Sequence, residues 1–273
     1  MRQSQVILIT GASSGFGKIS AQMLADKGHI VYGTSRNTER IDNKVTILQM
    51  DVTDKQSVFR TVERIICEQG RIDVLINNAG IGISGALELA TSEEISIQMN
   101  TNFLGVVYMC QAVLPYMREA RNGKIINISS IGGRIGIPYQ GFYSASKFAV
   151  EGYSEALAME VYPFNIHICL IEPGDFNTGF TANRNISKKT LLHPEYSNAF
   201  TQAMKIIEHE EINGSSPRKF AKVLCKLIDY KYPPFRTQVG AWKQTVFLRC
   251  KKWLPAKFTQ TVLRFYYNIK KMD

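Results

Sequence analysis

The sequence has no paired cysteines. Cys67, Cys110, Cys169, Cys225 and Cys250 are odd in number and scattered, with no Cys-x-x-Cys spacing. This argues against a disulfide framework or a zinc knot and implies a reduced, intracellular protein. The histidines His29, His167, His193 and His209 are equally scattered, so no metal site is expected. No apolar run approaches the roughly 18 residues that a membrane span needs. Val6–Ile9, after a polar start, is too short for a signal-peptide core and lacks a small-residue cleavage site. A soluble, cytoplasmic protein is the resulting expectation. Internal repeats and Ser-, Gly- or Pro-rich linkers are also missing, so the 273 residues are expected to form one domain, 1–273.

Basic charge is plentiful but uneven. The net charge is +10, and residues 240–273 supply +7 of it through Lys243, Arg249, Lys251, Lys252, Lys257, Arg264, Lys270 and Lys271 against Asp273. The rest of the chain is nearly balanced, which argues against nucleic acid as a partner.

Apolar runs alternate with helical patterns. Strands are expected at Val6–Thr10, His29–Thr34, Val45–Met50, Ile72–Asn77, Lys124–Ser129, Ile166–Ile171 and Phe235–Val239. Between them, Gly15–Lys27 reads as a helix closed by Gly28, and Asp54–Gln69 as one with Val58, Val62, Ile65 and Ile66 on a single face. Long helices are expected around Asn102–Ala120 and Tyr143–Tyr162, and another starts with Ser216 as N-cap and Pro217 in the first turn. Continuously apolar strands alternating with helices imply a parallel sheet covered on both faces. In such sheets ligands bind at the carboxyl ends of the strands.

Chemistry-bearing residues fall at those ends. Thr10-Gly11-Ala12-Ser13-Ser14-Gly15-Phe16-Gly17 follows the first strand and opens the first helix. Glycines permit a tight turn there and let backbone N–H groups approach a pyrophosphate, while the helix N-terminus adds partial positive charge. A dinucleotide site is therefore predicted. Tyr143-Ser144-Ala145-Ser146-Lys147 puts a phenol and an ammonium four residues apart on one helical face. A nearby positive charge lowers a Tyr pKa, which suits the phenol to proton transfer. The same spacing recurs at Tyr266…Lys270 and Tyr267…Lys271. Those pairs lie past the sheet and are read as surface or packing residues.

Together these segments resemble the single-domain branch of the short-chain dehydrogenases and reductases across about residues 5–180. Asp51-Val52, Asn77-Asn78-Ala79-Gly80, and Asn102 with Ser130, Tyr143 and Lys147 match that family's adenine position, sheet-bordering signature and tetrad. The resemblance implies a Rossmann-type α/β fold, a doubly wound seven-stranded parallel sheet with helices on both faces. It implies that Tyr143 exchanges the proton, Ser130 stabilises the substrate oxygen, Lys147 binds the nicotinamide ribose and Asn102 holds a water. Pro173-Gly174, Phe176 and Thr178 would border the nicotinamide. Where an NAD enzyme places an acid after the second strand, this chain has Ser35-Arg36-Asn37, and a guanidinium can grip a 2′-phosphate. The implied cofactor is NADP(H) in preference to NAD(H). Ser14 departs from the pattern, because NADP-preferring relatives often carry a second basic residue there.

Residues 176–213 occupy the family's variable substrate loop. Residues 240–273 join Trp242, Phe247, Trp253, Phe258, Phe265, Tyr266 and Tyr267 to the basic charge, as two short helices broken at Pro255. Three readings stay open for this extension: packing on the body with a solvated face, contact with anionic lipid, or the mouth of an apolar pocket. The extension is similar to that of hydroxysteroid and retinol dehydrogenase-like members and of relatives that reduce keto-lipids such as ketosphinganine. A reductase of an apolar ketone, assembled as a homodimer or homotetramer, follows from the resemblance. The competing functions are a non-catalytic NADP(H)-binding regulator and a lipid-surface protein.

Overall fold

The computed structural model describes residues 4–37, 44–251 and 253–271. Lys252 and Asp273 of the basic extension lie outside them. Strands β1 (Val6–Thr10), β2 (Ile30–Ser35), β3 (Val45–Gln49), β4 (Val74–Asn77), β6 (Gly123–Ile128), β7 (Ile166–Pro173) and β9 (Arg236–Val239) form one sheet. Its order is β3-β2-β1-β4-β6-β7-β9, and every pairing is parallel. Strand order therefore reverses between β1 and β4, and the crevice above that reversal is where such sheets receive ligands.

The alternation of β1 explains the two-sided burial. Val6 and Leu8 face one core with Val58, Val62 and Ile65 of α2 (Lys55–Gln69) and Val106 and Val113 of α4 (Gly105–Glu119). That core also takes Val150 and Leu157 of α5 (Gly141–Val161). Ile7 and Ile9 face the other, with Leu24 of α1 (Gly15–Asp26) and Phe220 and Leu224 of α8 (Pro217–Asp229). Period-2 strands in a sheet covered on both faces must divide their side chains in this way.

The helix boundaries carry the expected chemistry. Asp54 caps α2 by accepting from Gln56 N and Ser57 N, and Gly70 ends it in the left-handed region at φ 71°. Ser216 and Pro217 start α8. Most strand ends differ from expectation by a residue or two, because hydrogen bonding ends where neighbouring strands end and not where apolar residues do.

Two features differ in kind. The helix expected from Asn102 begins instead as a five-residue π-helical turn, Asn100–Leu104, between α3 (Ser92–Met99) and α4. A short parallel pair, β5 (Ile83–Ser84) with β8 (Asn185–Ile186), ties the segment after β4 to the long loop after β7. Helices α6 (Lys188–Leu192) and α7 (Ser197–Ile212) follow in that loop.

The extension forms α9 (Trp242–Lys251) and α10 (Ala256–Tyr266), separated at Pro255. Leu248 and Tyr267 join Ile135, Ile137, Phe200, Met204 and Ile207 in a third core. Gln244 Oε1 accepts from Asp175 N at 3.1 Å, and Lys251 Nζ donates to Arg134 O. The inner face of the extension is thus packed on the body. Trp253 (88% exposed) and Phe265 (83%) are left outside.

Candidate active site

The turn after β1 is held by the end of β4. Thr10 Oγ1 accepts from Asn78 N and Ala79 N, both at 3.0 Å, and Asn78 Nδ2 donates to Thr10 O and Gly11 O. Asn78 therefore clamps the Gly-rich turn. Beneath it Asn77 Nδ2 donates to Asn127 Oδ1 at 2.8 Å, and Asn127 Nδ2 to Ser154 Oγ. Gly11 and Gly15 both lie at positive φ. A Cβ on Gly17 would meet Gly11 O at 2.2 Å, whereas one on Gly15 would meet nothing nearer than Thr178 Cβ at 3.9 Å. The first position demands glycine for contact; the second leaves a passage open beside the helix N-terminus. Ser14 makes no side-chain cap, so the first N–H groups of α1 are free of one. This cradle fits a pyrophosphate.

A cleft of about 1150 Å³ starts at the cradle and runs past the ends of β1, β4, β6 and β7. Of the expected cofactor residues, Gly11, Ser13, Ser14, Gly15, Phe16, Ser35, Arg36, Asp51, Val52, Asn78, Ala79, Gly80, Pro173, Gly174, Phe176 and Thr178 line it. Phe16 also stacks on Phe220 at 4.0 Å and meets Phe176 edge-on, so those rings build the wall as well as face the cleft. Gly17 and Asn37 are not among the lining residues. Gly17 is turned toward Asn78, and Asn37 N folds back to donate to Ser35 Oγ.

Tyr143, Lys147 and Ser130 meet on the cleft floor. Lys147 Nζ sits 5.9 Å from the Tyr143 ring centroid and donates to Ile128 O at 2.8 Å. Ser130 Oγ accepts from Gly132 N at 3.0 Å, which aims the hydroxyl. Burial pushes the Tyr143 phenol up to about 12; the Ser130 hydroxyl pulls it back, and the charge of Glu211 raises it further. Burial also brings Lys147 down to about 8, partly offset by Glu151. Among the chain's own groups burial dominates and holds the Tyr143 phenol above its ordinary range, not below it as expected. The phenol stays protonated at neutral pH, the form that can give a proton.

Asn102 is fully buried and lies behind the lining residues. Its Oδ1 accepts from Ile81 N at 2.9 Å, and its Nδ2 donates to Ile81 O and Ser146 Oγ. The π-helical turn places it there. Asn102 thereby fastens the segment after Gly80 to α5, in which Ser146 adjoins Lys147.

Beyond Tyr143 the cleft is lined by Ile131, Ile135, Ile137, Phe180, Ile207 and Leu263. Tyr266 and Tyr267, read from sequence as surface or packing residues, both line the cleft, and Tyr267 packs in the third core. The charged groups at this end were not anticipated. Asp175, Glu210 and Glu211 line the cleft, and Arg184 donates to Glu211. Thr181 Oγ1 also donates to Glu211, at 2.7 Å. Burial raises the Asp175 carboxyl to about 6, and the Gln244 amide opposes this. At the adenosine end Arg36 borders a second hollow, of about 570 Å³, that also holds Arg60 and Arg64. Only the fold brings those two arginines of α2 beside the end of β2, so no sequence motif marks them. Among the described residues no cluster of His, Cys, Asp or Glu could hold a metal ion.

Residues 5–189 match the family model for short chain dehydrogenases, and the chain belongs to that family. It is an oxidoreductase of the CH–OH/C=O pair, with a fold that binds a nicotinamide cofactor. A 3-ketodihydrosphingosine reductase of Bacteroides thetaiotaomicron is 65% identical over 268 residues, 98% of this chain and 100% of that one. Among solved structures, a short-chain dehydrogenase from Streptomyces avermitilis superposes with a TM-score of 0.82 at 31% identity, covering 98% of each chain. ElxO with NADP bound has a TM-score of 0.72 at 28% identity, covering 87% of this chain and 97% of its own.

Proposed function

We propose that the protein is an NADPH-dependent reductase of a long-chain keto-lipid, 3-ketodihydrosphingosine being the leading candidate. The observation that carries this reading is the single cleft in which Tyr143, Lys147 and Ser130 separate a pyrophosphate cradle from an apolar chamber. When bound, the reduced nicotinamide supplies the hydride. Tyr143 gives its phenolic proton to the carbonyl oxygen as negative charge develops there, and Ser130 Oγ stabilises that oxygen by hydrogen bonding. Lys147, held by Ile128 O, binds the nicotinamide ribose and restores the proton to Tyr143, its own proton being replaced from solvent through the water expected at Asn102; Asn102 also keeps its helix in place. Residues 1–273 are read as a single domain built around this site, with residues 176–213 as the substrate loop.

The apolar chamber suits an acyl-like chain. Its carboxylates, Asp175, Glu210 and Glu211, offer acceptors to an ammonium, with Lys243 in the same cleft and Arg184 on Glu211 as the accompanying cations. 3-Ketodihydrosphingosine, an amino-hydroxy ketone with a long alkyl tail, has both features, and the 65% identical relative carries that substrate in its name.

For the cofactor, Arg36 with Arg60 and Arg64 offers a basic surface for a 2′-phosphate where an NAD enzyme would place an acid. Loss of reduced-nicotinamide absorbance with 3-ketodihydrosphingosine, NADPH against NADH, tests the whole reading. Arg36→Leu is expected to raise the KM for NADPH by about 10–100-fold, the worth of one charged hydrogen-bonding site, and to leave that for NADH nearly unchanged. Equal use of both cofactors by the unmodified enzyme would remove the NADP preference, and no turnover of any long-chain ketone would remove the reductase.

The outer face of α9 and α10 supports a second role, peripheral contact with lipid. Trp242, Trp253, Phe258 and Phe265 are exposed on these helices and in the turn between them, as are Arg249, Lys257 and Arg264. Aromatic side chains among cations are the composition of helices that lie on anionic bilayers. No helix among the described residues is long and apolar enough to cross one. The protein is expected to sediment with anionic vesicles, and Trp253→Ala with Phe265→Ala to stay in the supernatant. Equal sedimentation of the two would end this role.

A further inference from the structure

Gln140 is a polar side chain in the cleft that the chemistry above leaves without work. It precedes α5 as its N-cap and lines the cleft with Tyr143. It is only 5% exposed, yet its Nε2 has no hydrogen-bond partner. The surrounding backbone is held at several points. Gln140 N donates to Ile137 O at 3.1 Å, Gln140 O accepts from Ser144 N at 2.9 Å, and Tyr139 O accepts from Gly85 N at 2.8 Å. Gly141 presses on Leu87, where a Cβ would come within 2.4 Å of Cδ2. Tyr139 is held at φ 59°, a conformation that side-chain-bearing residues rarely adopt, with its ring against Phe200. The fold thus fixes Gln140 firmly and then leaves its carboxamide unmatched.

A buried amide without a partner destabilises the protein, and a ligand in the cleft toward which this side chain turns relieves that cost. Its position says which part of the ligand. Gln140 and Tyr143 line the cleft three positions apart at the start of α5, which puts the carboxamide in the neighbourhood of the reacting phenol. We propose that Gln140 is a specificity-determining residue that hydrogen-bonds a hydroxyl two carbons from the reacting carbonyl, so that the enzyme selects β-hydroxy ketones over plain ones. A hydroxyl donates and accepts, so either orientation of the carboxamide pairs with it. This inference rests on the keto-lipid reading above and adds to it the part of the substrate that is read at this position.

The test compares 3-ketodihydrosphingosine with its 1-deoxy analogue, which keeps the amine, the ketone and the chain but replaces the hydroxymethyl by methyl. Unmodified enzyme is expected to favour the hydroxylated ketone by about tenfold in kcat/KM, the worth of one hydrogen bond that leaves a buried partner unmatched when lost. In Gln140→Met, close to Gln in shape, that ratio is expected to fall to about one, and the Tm without ligand to equal or exceed the original, because an unmatched amide has been removed. Gln140→Ala gives the same ratio test should Met pack poorly. A preference that survives in both variants overturns the proposal, as does a lower Tm with both ketones losing rate equally. Turnover of neither ketone by the unmodified enzyme overturns the keto-lipid reading itself, and this inference with it.

Discussion

Tyr143→Phe is expected to lower kcat for ketone reduction by about 10²–10⁴-fold, the range that a positioned general acid contributes, while NADPH still binds. The change removes one oxygen. The ring keeps its place against Phe180, 5.8 Å away, and beside Lys147. Ser130 retains its bond from Gly132 N, so the remaining oxygen-stabilising group stays aimed. Single-turnover rates paired with a fluorescence titration of NADPH separate the two effects. A variant that reduces ketone at the original rate would falsify the assignment, since the proton would then come from elsewhere.

Gly17→Ala is expected to abolish cofactor binding and to destabilise the fold by about 1–3 kcal/mol, the usual cost of overpacking. Neither neighbour of the new methyl group can withdraw cheaply. Gly11 O, at 2.2 Å, belongs to the turn itself, and Asn78 Nδ2, at 2.6 Å, is the clamp that joins that turn to β4. Moving either reshapes the cradle. Gly152→Ala on α5 is the control: nothing lies within 4 Å of its Cβ position, so the same substitution there is expected to raise Tm slightly by restricting the unfolded chain. Thermal melts of the two variants, with and without NADPH, check both statements. A Gly17→Ala protein that melts at the original temperature and gains the original stability from NADPH contradicts the argument.

What the sequence discloses about this protein is mostly local. The turn from Thr10 to Gly17 is readable because strand, glycines and helix follow one another within a dozen residues. Tyr143 and Lys147 are readable because a helix brings residues four apart together. Arg36 is readable because it stands one residue beyond β2. The π-helical turn at Asn100–Leu104 was hidden, because an apolar helical pattern runs through it and one extra residue per turn leaves no mark in composition. Asn102 was named from its motif, but its bonds to Ile81 and Ser146 come from the fold.

The substrate end was least readable of all. Gln140 and Tyr267 stand 127 positions apart in the chain and share a cleft only because α10 returns to it. The carboxylates there come from β7's end and from α7, with no spacing that links them. Tyr266 and Tyr267 carried a misleading signal, since their Lys partners repeat a catalytic spacing by chance. Their place in the wall depends on packing with α7, which no periodicity encodes.

Helices α9 and α10 serve as both the inner wall of the cleft and the outer skin of the molecule. Leu248 and Leu263 look inward, and Trp253 and Phe265 outward, across the thickness of one helical layer. A keto-lipid entering through that layer need not cross bulk water, where each exposed methylene costs about 0.8 kcal/mol. Under the proposed lipid contact, the quantity feeding the enzyme would be the mole fraction of substrate in a bilayer and not its molar concentration in solution. Diluting the lipid with inert phospholipid would then slow turnover at constant total substrate, as catalysis confined to two dimensions requires.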